Sequence, residues 1–486
     1  MRINLKILLL VLILKLFFLF YLFQFQGVLE SDNFFDRFTT NDYSSLLGPV
    51  NNLIQTGSYE LVKSSGISYT ERLPGYMFPF VFFRFFLNEN ISILFLVIYQ
   101  IFISFIASYL LFSITNKISN NLNLSYLIFI VYNLFSFLIP WELWTVPESL
   151  SVSYYIISIY FLIIFFYEGK NLKYLIFSGF FLTMVFFLRG FLFFNFISVL
   201  LILILKHLNF QSLKYCLVFI FPFLFFESIW ITRNYFSKGE FIPLTTFQIL
   251  NNVELELNED YRFDYRYKPT VLKLRKLISC WGGINVHYYK NSEMSFFINN
   301  ENGIDNFFPK WIFNCGISKE MIYNIQELLN KSFDSRISYL ERCKVENDLF
   351  KSIDLTINKF NYDSVFHNIL SRFKRIKNLT YNNVVADWPI GSFSSNHLII
   401  KFYKLIILLI YHLSILISLL FGFIHVFLRF FNFKFDAILT IIYLNSIFLI
   451  FVFSFIIDIV EFKYSAILFI NSIILCCIYL NKLVKN

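Results

Sequence analysis

Apolar runs about as long as a bilayer is thick recur along the whole chain, and they limit its possible folds more than any other feature. They fall near 7–26, 91–114, 124–140, 150–167, 174–188, 191–205, 215–232, 402–427, 437–457 and 464–480. A helix needs about 20 such residues to cross the ~30 Å hydrocarbon core. With 57% hydrophobic residues, 68 of them Phe, the sequence is richer in apolar side chains than a soluble protein of 486 residues sustains. The expected class is an all-α polytopic membrane protein of about ten transmembrane helices. Phe is expected to serve mainly as a lipid-facing coat.

The net charge of +9 raises nucleic acid as a partner, but the placement of the basic residues argues against it. Arg2 and Lys6, Lys117, Lys170 and Lys173, Lys206 and Lys214, Arg429 and Lys434, and Lys482 and Lys485 all fall in alternate connections. By the positive-inside rule those connections are cytoplasmic. Both termini are then expected inside, with the long segments 27–90 and 233–397 outside, and the bases contact lipid head groups. This alternation requires 174–205 to be two short helices broken at Arg189-Gly190, not one long tilted helix. Lys15 lies inside the first run and is expected to snorkel or to face protein. No small-residue cleavage site follows that run, so it reads as a retained span.

Three parts follow: an N-terminal membrane module over 1–232 with its outer loop 27–90, an outer insert over 233–397, and C-terminal spans over 398–486. The insert reads as a mixed cap before the last three spans. Ile322, Ile325, Leu328 and Leu329 are spaced for one apolar helix face, and 362–377 has the pattern of a helix lying on the membrane surface. Cys216, Cys476 and Cys477 lie in spans. Cys280, Cys315 and Cys343 lie outside, where one disulfide is possible. No His/Cys spacing marks a metal site, and no Gly-rich phosphate loop is present.

The loop 27–90 is far longer than a bundle needs to join two helices. It holds Asn41-Asp42-Tyr43, Gly57-Ser58-Tyr59 and Glu71-Arg72-Leu73-Pro74-Gly75-Tyr76. Charge at membrane depth is costly and usually functional, and ionisable residues gather at the outer ends of the runs. Asp42 and Arg72 come from the first loop, and Glu142 and Glu148 from the third connection on that face. Arg189 sits in the next turn, Glu227 and Arg233 near the end of span seven, and Asp458, Glu461 and Lys463 before the last span. Asp42 also suits a helix cap before a helix at 44–55. Glu142, flanked by Trp141 and Trp144, reads as an interfacial surface residue. Arg189-Gly190 is harder to explain as a bare turn, since a turn gains nothing from a cation.

The order of these pieces resembles the GT-C superfamily of membrane glycosyltransferases, above all the bacterial relatives of protein O-mannosyltransferases and of the lipid A aminoarabinose transferase. Six elements carry the likeness: Asp42-Tyr43 ahead of Gly57-Ser58-Tyr59; Arg72-Leu73-Pro74-Gly75-Tyr76; Glu148; Arg189; Trp230-Ile231-Thr232-Arg233-Asn234; and Glu461-Phe462-Lys463-Tyr464. Lys463 stands where the family has Arg, Asn41-Asp42 where many relatives have paired acids, and 233–397 matches only at its ends. The resemblance implies a GT-C-like fold in a bacterial cytoplasmic membrane. Its activity would be transfer of a sugar from a polyprenyl-phosphate donor to a glycan, lipid or protein acceptor on the outer face. Asp42, as general base, and Glu148 would be the catalytic carboxylates. Arg72, Arg189, Arg233 and Lys463 would hold the donor phosphate, with Tyr43, Tyr76, Asn234, Glu461 and Tyr464 binding substrate. A phosphate leaving group needs positive charge as its bond breaks, and direct attack by the acceptor would invert the anomeric centre. No cofactor is required. A divalent ion, Mg or Mn, fits the chemistry of Asp42 and Glu148, and nothing demands it.

Two other classes share the general pattern. O-antigen polymerases and ligases place a long basic loop late and keep early connections short. Transporters show inverted repeats and helices broken at mid-membrane.

Overall fold

The computed structural model describes residues 5–25, 43–63, 66–68, 73–134, 140–207, 210–238, 311–314, 316–332, 336–359, 398–430, 436–452 and 465–485, with isolated positions between them. Among the described residues the chain is almost wholly helical. The first apolar run forms α1 (Leu5–Phe25), and the 27–90 segment carries α2 (Tyr43–Thr56) and the short strands β1 (Leu61–Lys63) and β2 (Gly66–Ser68). The strands pair antiparallel, Val62 opposite Ile67. A 3-10 turn at Pro74–Tyr76 leads into α3 (Met77–Arg84), followed by α4 (Glu89–Ser119), α5 (Leu122–Leu134) and the single turn α6 (Pro140–Leu143). Then come α7 (Pro147–Glu168), α8 (Leu172–Leu188), α9 (Phe194–His207) and α10 (Phe210–Lys238). The outer insert contributes α11 (Lys319–Ser332) and α12 (Tyr339–Asn358), and the chain ends with α13 (Leu398–Phe430), α14 (Ala437–Phe451) and α15 (Ala466–Lys485).

Local chemistry sets several boundaries. The Asn88 side chain accepts from the Ile91 amide to start α4, and Asn120 ends it in the left-handed conformation at φ 50°. Asn is among the few side chains that tolerate this conformation. Asp436 accepts from the Leu439 amide to cap α14, and Pro147 occupies the first turn of α7, where its missing N–H costs nothing. Between α8 and α9, Arg189 is extended at φ −146°, ψ 95°, and a 3-10 turn follows at Gly190–Phe193. The expected break at Arg189-Gly190 is therefore present.

Each of the ten expected apolar runs is helical over most of its described length. Among the described residues, four helices are long and apolar enough to cross a membrane, at Glu89–Ser119, Pro147–Glu168, Phe210–Ser237 and Leu405–Ile424. Their outer faces carry exposed apolar side chains such as Phe95 and Phe102 on α4, Phe221 and Phe225 on α10, and Leu409 and Leu416 on α13, as a lipid bilayer requires. At the centre lies α7, buried along most of its length between α4 and α8. Close crossings depend on small residues: a Cβ at Gly179 of α8 would collide with the Phe219 carbonyl of α10. The outer insert has a separate core. Ile322, Ile325 and Leu329 of α11 pack with Leu349 and Ile353 of α12 and with Phe296, Phe297 and Phe308, while Leu328 is half-buried against them. The expected surface helix at 362–377 lies outside the described residues.

Candidate active site at the ends of the helices

The site is built where three breaks in regular helix meet. Glu148 sits in the first turn of α7, Arg189 in the gap after α8, and Tyr76 in the 3-10 turn before α3. The Arg189 guanidinium pairs with Glu148 Oε1, with 14% and 5% of the two side chains exposed. Gly75 lets the first outer loop reach them, because a Cβ there would overlap the Phe187–Leu188 peptide at the end of α8. The loop segment Leu73–Tyr76 is thus seated directly on the turn that carries Arg189. Tyr76 is buried and donates its hydroxyl proton to Gln100 Oε1 at 2.7 Å. Burial first, and the Glu148 carboxylate second, push its phenol well above the ordinary range, with Arg189 acting the other way. Tyr76 is therefore a neutral donor beside the ion pair.

Of the remaining predicted residues, Arg233 with Asn234 and Tyr43 fall into two further groups. The Arg233 guanidinium donates to the Tyr59 carbonyl and to Asn234 Oδ1, the latter at 2.9 Å. It also lies 5.4 Å from the Tyr59 ring and 5.1 Å from the Trp230 ring, which meet edge to face. The Trp230–Asn234 segment therefore fastens the Gly57–Tyr59 turn to the end of α10, a clamp in which cation–π contact adds to hydrogen bonding. Tyr43 donates to Glu89 Oε1, which also accepts from Asn51, and Arg84 Nε donates to Asn51 Oδ1. Burial, then Glu89, raise the Tyr43 phenol above its ordinary range. Tyr43 thus ties α2 to the start of α4 and does not join Glu148. Asp42, Arg72, Asp458, Glu461, Lys463 and Tyr464 lie outside the described residues. Among the described residues no three His, Cys, Asp or Glu side chains gather as a metal site would need.

One expectation needs correcting. Glu142 is not an interfacial surface residue. It is 3% exposed, and its Oε1 pairs with Lys15 Nζ at 2.8 Å and accepts from Ser104 Oγ at 2.6 Å. Lys15 faces protein, fully buried, and donates also to Ser104 and Asn133. The two residues were visible as anomalies in the sequence, a Lys inside an apolar run and a Glu between tryptophans, but nothing in either segment announced the other.

An apolar cavity of about 880 Å³ opens further along the same helices, lined among others by Phe78, Pro79, Tyr154, Phe181 and Met184. Phe78 follows Tyr76 by two residues. Tyr154 lies about 9 Å along α7 from Glu148, and Met184 about 7.5 Å along α8 from Arg189, at about 1.5 Å per residue. Phe78 and Phe82 are exposed at its mouth. Its main polar feature is a hydrogen bond of 2.6 Å between the Tyr99 and Tyr154 hydroxyls. No family model matches the chain, and no curated protein or solved structure matches it.

Proposed function

We propose that this chain is an inverting membrane glycosyltransferase that moves a sugar from a polyprenyl-phosphate donor to an acceptor at the outer face of a bacterial cytoplasmic membrane. One observation carries this proposal. A Glu148–Arg189 pair, with Tyr76 beside it, sits at the ends of helices that line an apolar cavity further along their length, where Phe78 and Phe82 are exposed. A long-chain lipid phosphate needs both parts, a cation for its head and an apolar channel for its chain. The likeness to GT-C enzymes supports the same reading, as does the basic pattern that places ten spans with both ends inside.

In this mechanism the Asp42 carboxylate takes the proton of the acceptor hydroxyl. The acceptor oxygen attacks the anomeric carbon while the bond to the phosphate oxygen breaks, and the electron pair leaves with the phosphate. Arg189 stabilises the charge that develops there, and Glu148 holds its guanidinium in one orientation. Arg72 and Lys463 would add charge around the phosphate, while Arg233, with Asn234, holds the roof formed by the first loop. Glu461 and Tyr464 would complete the substrate contacts.

Mass spectrometry of cell-envelope glycans from cells with and without the gene tests this. The expected result is loss of one sugar and accumulation of its lipid-linked donor. Unchanged glycans together with altered solute uptake would refute it in favour of transport.

A further inference from the structure

The Lys15–Glu142 pair takes no part in that chemistry. A buried ion pair is poor evidence for stability, because well-packed apolar residues often serve as well or better, and in a membrane its members are functional more often than not. The groups it touches point to what it does.

Gln100 is the junction. Its Oε1 accepts from Tyr76, while its Nε2 donates to the backbone carbonyls of Glu142 at 3.3 Å and Trp144 at 3.0 Å. Ser104, one turn further along α4 and therefore on the same face, holds the Glu142 side chain. Lys15 of α1 closes the arrangement from the other side. Helix α4 thus grips the 140–147 turn at two points, once by backbone and once by side chain. Four residues past Trp144 the same strand of chain delivers Glu148. The Thr145 amide between them donates to the Phe38 carbonyl of the first outer loop. Lys15, Gln100, Glu142 and Tyr76 are all buried.

We infer that Lys15, Glu142 and Gln100 are positioning residues that fix the 140–147 turn against α4, and so set both the Tyr76 hydroxyl and the Glu148 carboxylate at the active site. The effect on turnover rests on the proposed glycosyl transfer; the wiring does not.

The test replaces Tyr76 with 3-fluorotyrosine in the full-length protein and follows its 19F resonance. In Lys15→Met/Glu142→Gln the charge is removed from both partners, so neither is left buried and unpaired. That variant should melt close to wild type, yet its resonance should move, and transfer should fall on the order of 10–100-fold, mostly in kcat and not in KM, as for a small misplacement of reacting groups. A pair that only stabilised the bundle would leave the resonance in place once the melting temperature is regained. Ser104→Ala, which loosens Glu142 without exposing a charge, should shift the signal less. Gln100→Leu should shift it most, and Lys117→Met, at a distant ion pair, should leave it unmoved. A 19F signal unmoved in both Ser104→Ala and the folded double variant overturns the inference. A shifted signal in a protein inactive on every polyprenyl-phosphate sugar keeps it and rejects the glycosyltransferase instead.

Discussion

The glutamates of two ion pairs stand six residues apart in the chain, and the pairs are built differently. Lys15 of α1 meets Glu142 of the one-turn α6, fully enclosed, with Ser104 and Asn133 sharing the load. Arg189 and Glu148 meet where α8 has just ended and α7 has just begun, with 14% of the Arg189 side chain exposed. The first pair is surrounded by scaffold, whereas the second keeps its arginine partly exposed. A charge inside a membrane bundle is therefore not a uniform signal. What distinguishes the catalytic candidate is a cation left partly exposed where two long helices end, not burial.

The largest expected effect breaks the chemistry without touching either pair. Asp42→Asn retains any capping bond, since Asn caps a helix about as well as Asp, but removes the proposed base. Transfer should fall ~10²–10⁴-fold with the melting temperature unchanged. If the variant keeps near wild-type activity while Glu148→Gln abolishes it, the base is Glu148, and the second pair is catalytic in a stronger sense than proposed.

A second substitution separates scaffold from site. Lys15→Met alone leaves Glu142 buried without its cation and should cost about 3–5 kcal/mol, read as a lower melting temperature in detergent. Lys15→Met/Glu142→Leu should recover most of that loss, because the buried charge is gone from both sides. Failure of the double variant to recover would mean that the network, and not the charge balance, holds α1 in place.

The smallest effect is expected at the other end of the bundle, where Lys117 pairs with Glu168 at 27% and 51% side-chain exposure. Exposed pairs contribute about 0–1 kcal/mol, so Lys117→Ala should leave both stability and transfer within about that range. A larger loss would show that exposure misjudges the strength of ion pairs on this protein.

Much of this was legible in the sequence. Crossing lipid demands long apolar runs, so the helical segments stood out, as did the first-loop helix ahead of Gly57 and the interruption at Arg189-Gly190. The motif order singled out Tyr76, Glu148 and Arg189, and the structure brings these three together. Pairing across distant segments could not be read. Lys15 looked like a local oddity and Glu142 like an interfacial residue between tryptophans, Gln100 carried no signal, and the β1–β2 pairing is too short to leave an alternating pattern. Tyr43 shows the limit of motif order: it sits beside Asp42 in sequence, but its hydroxyl is committed to Glu89.

The central claim is that the Arg189–Glu148 corner and the apolar cavity below it form one binding site for a lipid phosphate. Native mass spectrometry of the purified protein with added polyprenyl phosphate tests it most directly. Wild type should retain one lipid, Arg189→Gln should weaken retention by removing the cation, and Ile106→Trp, which fills the cavity from its lining, should weaken it by excluding the chain. Retention unchanged in both folded variants would contradict the account.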